Sequence, residues 1–174
     1  ERDYTICADV RGLEQLTRYY YRFWYNNYKS CTGITKTTTH GALESLVFGM
    51  TSCANWAFGY LHVYNRLARV DKLDFVVMGG DYIYEYEPGS YPDPPFVARE
   101  GLQPPNRLRR LSDYRTRYSW YRLDPDLQEL HRRVPVIASW DDHEIADSAW
   151  TGGYEDGEPK HWEQQKREAL QAYG

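Results

Sequence analysis

The run Val136-Ile137-Ala138-Ser139 leads straight into Trp140-Asp141-Asp142-His143-Glu144, so a short apolar stretch ends on two carboxylates, an imidazole and a third carboxylate. Its β-branched residues, bounded upstream by Arg132-Arg133, read as a buried strand. Four ionisable groups at the mouth of such a strand repel and desolvate one another unless a cation neutralises them, which points to a metal site. The same residues would also serve a strand end capped by solvated acids, with Asp142 as the N-cap of a following helix.

Two more apolar runs end in groups that can hold a metal. Asp74-Phe75-Val76-Val77-Met78 stops at Gly79-Gly80-Asp81-Tyr82-Ile83-Tyr84. The glycines permit a sharp turn, so the Asp81 carboxylate could reach over a sheet edge and bridge two cations; a turn or N-cap acid would look alike. A tight turn could return the Tyr84 phenol to the same centre, although most of the 17 tyrosines must simply be packed. Leu46-Val47-Phe48-Gly49-Met50 stops just before Cys53, whose thiolate would suit iron or another thiophilic metal. His143 is placed to donate a proton to a leaving group or to hydrogen-bond developing charge, and a satisfied structural histidine is the plainer alternative.

These residues need a scaffold that brings strand ends together. Tyr60, Val63, Tyr64 and Leu67, between the first and second of these apolar runs in chain order, have helical spacing, so strand, helix and strand form a βαβ unit with parallel strands. Helices are expected around Ser112 to Tyr121, from Asp124-Pro125 onward and over Lys160 to Gly174, with an irregular Pro- and Gly-rich insertion at Glu85 to Arg110. Val134 to Trp140 is the third buried strand. In open α/β sheets the ligand site lies beyond the carboxyl ends of the strands. Cys53, Asp81 and Asp142 would share that edge, a convergence that chance explains poorly.

Upstream, Tyr4, Ile6, Ala8 and Val10 alternate with polar residues as in a half-buried strand. Tyr19 to Tyr25 and Ile34 to Thr38 read as two more, which together resemble the tail of a β-sandwich, with Thr37 to Gly41 as a polar linker. Cys7 and Cys31 could pair in an oxidising compartment or remain as two buried thiols. The chain of 174 residues starts at Glu1 and ends in a helical pattern without a cap, so a fragment is expected. A net charge of -4 argues against a nucleic-acid partner, and no apolar run reaches the length of a membrane span.

Ser52-Cys53-Ala54-Asn55-Trp56, Gly80-Asp81-Tyr82-Ile83-Tyr84-Glu85-Tyr86, Leu111-Ser112-Asp113-Tyr114-Arg115, Tyr121 to Leu130 and Trp140-Asp141-Asp142-His143-Glu144 resemble, in order and spacing, the alkaline phosphatase D family of PhoD-like metallophosphoesterases. The resemblance implies that residues 1–40 end an Ig-like β-sandwich and that residues 41–174 form the N-terminal half of a metallophosphoesterase α/β sandwich. It implies hydrolysis of phosphomonoesters or phosphodiesters, phospholipids included, by a metal-bound hydroxide at an iron–calcium centre. Cys53, Asp81 and Tyr84 would hold Fe(III), Asp81 would bridge, Asp142 would serve Ca(II), and His143 would face the phosphate as the catalytic acid.

Asp147 and Ser148 depart from the pattern of many members, which leaves a calcium role for Asp147 open. Further ligands of the family would lie beyond Gly174, so this stretch alone is expected to be inactive. Export to the periplasm or medium is implied as well. Arg107, Arg109 and Arg110 would steer anions or form a solvated helix face. The rival readings are a carbohydrate- or protein-binding β module built on Tyr19 to Tyr25, which predicts no metal, and a nucleic-acid binder using Asn106 to Tyr121.

Overall fold

The computed structural model describes residues 3–90, 99–155 and 159–174, with side chains at 159 and 160 excluded. The insertion expected at Glu85 to Arg110 has neither helix nor strand among its described residues, and positions 91–98 lie outside them.

Three parallel strands carry the architecture: β5 (Phe48–Thr51), β6 (Phe75–Gly79) and β7 (Val136–Ser139), in spatial order β5-β6-β7. Met50 pairs with Val77 and Val77 with Ile137, so the three strands run in step and finish at one edge. The β5 to β6 crossover carries a short 3-10 turn at Trp56–Phe58, capped by the Asn55 side chain, and helix α1 (His62–Leu67). Helices α2 (Leu111–Arg122) and α3 (Pro125–Arg133) join β6 to β7, and α4 (Pro159–Tyr173) follows.

Local chemistry explains the helix starts. Asp124 accepts hydrogen bonds from the Asp126 and Leu127 amides, and Pro125 takes the first helical position, where no amide partner is needed. The Asp113 carboxylate accepts from the Arg109 and Arg110 amides at the start of α2. Tyr114, Arg117 and Tyr121, spaced by three and four, are the buried face of that helix.

Val76 and Met78 of β6 are buried in the core with Trp56, Tyr64, Tyr121, Leu127 and Leu130. The opposite face is barer than continuous apolar runs suggest, since Met50 is 73% and Ile137 56% exposed. Fully buried strands were expected, so this is a correction: among the described residues the helices cover one face of the sheet.

The N-terminal region forms two small antiparallel pairs. Strand β1 (Arg18–Tyr21) pairs with β4 (Gly33–Lys36), and β2 (Trp24–Tyr25) with β3 (Tyr28–Lys29). Tyr4 to Val10 is not a strand: it is irregular, with Tyr4, Ile6 and Val10 exposed. Alternation alone does not create a strand when no neighbour supplies hydrogen bonds. Cys7 and Cys31 are free and exposed, neither paired nor buried. Lys36 reaches Asp74 at 2.5 Å, and Arg132 of α3 donates to the Thr32 carbonyl at 3.1 Å, tying β4 and its approach to the larger unit.

Candidate metal centre

Beyond the common strand edge the backbone is forced into uncommon conformations. Cys53, after β5, and Asp81, after β6, have φ of 55° and 54°, and Gly80 has 101°. A left-handed conformation costs a residue with a Cβ on the order of 1–2 kcal/mol, and such strain collects at functional sites. At Gly80 no side chain fits, because an added Cβ would lie 2.5 Å from the Asp141 Cβ. The β6 and β7 exits are therefore in direct contact.

Glu144 holds those exits in place. Its carboxylate, 1% exposed, accepts from the amides of Asp81 at 3.1 Å and Asp141 at 2.7 Å, and also from the Tyr82 amide. Burial lifts its pKa above the ordinary carboxyl value, although the three N–H donors act in the opposite sense.

Asp81, Asp142 and His143 each bring one potential ligand atom within 4.8 Å of the others. The Oδ2 of Asp81 accepts the Tyr84 phenol at 3.1 Å, whereas Oδ1 is buried without a hydrogen-bond partner. A buried carboxylate oxygen lacking any donor is costly, and a cation is the partner that the surrounding oxygens and imidazole suit. The residues therefore fit a metal ion. Burial, then the charge of Asp81 and of Cys53, raises the Tyr84 pKa far above that of a free phenol, so its hydroxyl donates to Asp81.

Cys53 is placed at the same edge but outside that group of three. Its amide donates to the Gly80 carbonyl at 3.3 Å, and its exposed side chain lines, with Tyr84, Asn55 and Tyr60, a cavity of about 440 Å³. Asp142 is half-buried and takes the Ser148 amide, and two amides bond its carbonyl, Ile145 at 2.8 Å and Ala146 at 2.7 Å. It heads a turn, not a helix. Asp141 is exposed.

His143, 7% exposed, is enclosed by three consecutive residues. Its Nδ1 lies 2.9 Å from the Oε2 of Glu85, and its ring packs on Tyr84 and Tyr86 with centroid separations of 4.3 and 5.6 Å. Burial disfavours the imidazolium, yet the hydrogen bond to Glu85 and the charges of Glu85, Asp81 and Asp142 outweigh it, so the pKa lies above the ordinary value. Glu85 is fully buried and also accepts from the Asp147 amide at 2.7 Å, with Arg107 at 3.4 Å.

Arg107 thus stacks over Tyr86 and Tyr154 beside Glu85 and forms no solvated helix face. Asp147 accepts from Tyr86 and from Ser148 Oγ at 3.0 Å and is not in the group around Asp81. Burial would raise its pKa, but those two donors and the charges of His143 and Arg107 hold it below the ordinary value.

Three residues of this site escaped the sequence reading as site residues: Glu85, Glu144 and Arg117. Arg117 is fully buried and donates to the carbonyls of Tyr84, Tyr86, Gln103 and Pro104, so it pins the segment that encloses His143. The available signal was its spacing from Tyr114 and Tyr121, which puts it on the buried face of α2. Glu144 stood inside the acidic run, but nothing local showed that it binds backbone amides.

A family model described as PhoD-like phosphatase matches residues 48–174. This chain belongs to the PhoD-like phosphatase family. It is 37% identical over 147 residues to alkaline phosphatase D of Bacillus subtilis (strain 168), a match covering 82% of this chain and 24% of that protein. A solved structure described as "Structure of PhoD" superimposes with a TM-score of 0.87 at 33% identity, over 93% of this chain and 31% of the other. The chain thus spans less than a third of either relative. The PhoD likeness agrees with the parallel α/β sheet described above. Among the described residues no helix is long and apolar enough to cross a membrane.

Proposed function

We propose that this PhoD-like chain supplies part of the active site of a metal-dependent phosphate-ester hydrolase. The observation that carries the reading is the buried, unpartnered Oδ1 of Asp81 among Asp142 and His143. Membership of a phosphatase family agrees with it. Cys53, Asp81 and Tyr84 would hold Fe(III), Asp81 would bridge, and Asp142 would serve Ca(II). Such cations would supply Lewis-acid stabilisation of the phosphate oxygens and a nucleophile at neutral pH.

The protein's own groups do the rest. Glu144 fixes the backbone behind Asp81, Tyr84 donates to the Asp81 carboxylate as long as no cation has taken its phenolate, and His143 hydrogen-bonds the ester or protonates the departing alcohol. Without bound cations the carboxylates would repel an anionic substrate. Arg107 cannot offset this, because its guanidinium is directed at Glu85 and Tyr86. The substrates are phosphomonoesters, phosphodiesters or phospholipids, acted on in the periplasm or outside the cell. Residues 1–40 are read as the end of an Ig-like sandwich and 41–174 as the first part of the catalytic domain.

Replacing His143 with Ala tests the reading. In the longer protein that carries this chain it should lower kcat on phosphate esters by about 10²- to 10⁴-fold while metal content, measured by elemental analysis, stays near normal. Loss of metal in that variant would make His143 a ligand instead.

A further inference from the structure

We propose that Glu85 is a positioning residue for His143, holding the ring by its Nδ1–H so that Nε2 is the nitrogen presented to the leaving group. The inference rests on the reading of His143 as a proton donor.

Several independent contacts converge on it. Glu85 is fully buried, so its carboxylate needs fixed partners, and His143 Nδ1 at 2.9 Å is one of them. The Asp147 amide and Arg107 occupy Oε1, which leaves Oε2 aimed at the imidazole. On either side of Glu85, Tyr84 and Tyr86 pack their rings on His143, limiting its rotation. Behind them the Arg117 Nη1 takes both of their carbonyls, so the three-residue segment cannot swing away without leaving a buried guanidinium short of acceptors.

A carboxylate acceptor on one ring nitrogen sets which nitrogen faces the reaction. In the proton transfer the new oxygen–phosphorus bond comes from water, and the ester P–O bond breaks with its electron pair going to the alcohol oxygen. That oxygen takes the Nε2 proton, the protons of the attacking water stay on the phosphate until one returns to Nε2, and His143 is meanwhile neutral and still hydrogen-bonded to Glu85 through Nδ1–H.

The test is a double-mutant cycle in the metal-loaded longer protein that carries this chain, read on an alkyl phosphate ester and on 4-nitrophenyl phosphate, whose leaving group needs little protonation. Glu85→Gln should lower kcat on the alkyl ester about 10- to 100-fold, with less than about a threefold change in KM and on the nitrophenyl ester. In the His143→Ala background it should cost nothing further. Equal losses on both esters, or effects that add with His143→Ala, would overturn the positioning role while leaving His143 as the acid. Loss of metal on His143→Ala would overturn the reading on which the inference rests, so the two failures are distinct. Should Glu85→Gln not fold, histidine-selective ¹⁵N labelling of the unaltered, metal-free protein decides. A proton on Nδ1 of His143 supports the inference, and a bare Nδ1 overturns it.

Discussion

The exits of β6 and β7 differ sharply from the exit of β5, although all three strands finish at one edge. At the first two, Glu144 ties together three backbone amides, Tyr84 donates to Asp81, and Glu85 grips His143. At the third, Cys53 is exposed, and the contact to its neighbour is one backbone hydrogen bond of 3.3 Å to Gly80. One half of the candidate site is built in advance around a buried carboxylate oxygen. The other half presents a single soft ligand at the rim of a cavity. A preorganised half fixes geometry for chemistry, whereas a lone exposed thiol can adjust to whatever binds.

The most severe way to break this contrast is Glu144→Ala. It leaves the Asp81, Tyr82 and Asp141 amides without their acceptor, and each buried N–H so abandoned costs about 1–3 kcal/mol. A loss of roughly 3 kcal/mol or more is expected in denaturant unfolding. A loss under about 1 kcal/mol would show that the exits are held by something else.

Tyr84→Phe is gentler on the fold, removing one hydrogen bond worth about 1 kcal/mol. In iron-loaded protein it should bleach or shift a visible charge-transfer band, and an unchanged spectrum would remove Tyr84 from the ligand set.

Acid should weaken the same half first. His131 of α3 lies 2.8 Å from the Tyr82 hydroxyl, directly after Asp81, and burial aided by the charge of Arg122 lowers its pKa from 6.5 to about 4. The unfolded chain therefore takes up the proton before the folded one does. Stability is complete above about pH 6.5 and falls as the pH drops toward about 4. Urea midpoints against pH should slope less over that range in His131→Gln.

At the open exit, Cys53→Ser should change stability by no more than about 0.5 kcal/mol, the usual range for an exposed side chain. A larger loss would show that this exit is braced after all.

Particular residues show how much of this was legible. Asp81, Asp142 and His143 stood out because each follows an apolar run, and strand ends share an edge in a parallel sheet. Asp124-Pro125 marked the start of α3 by the same local reasoning. Tyr4 to Val10 misled because period-two alternation reports a capacity for pairing and not the presence of a partner. Composition alone left Arg107 either steering anions or on a solvated helix face, whereas its place beside Glu85 depends on a loop that α2 holds through Arg117.

The sequence by itself determined the order of the elements from β5 onward and the strand ends that gather the candidate ligands. That information is local, carried by apolar periodicity, capping residues and glycines at a forced turn. Only the tertiary structure decided that Glu144 binds amides 62 and 63 residues away, that Glu85 reaches a histidine 58 residues away, and that one oxygen of Asp81 is left buried without a partner. Those outcomes depend on which polar groups meet once the chain has packed, and a buried carboxylate takes its donors from whatever backbone the fold brings near.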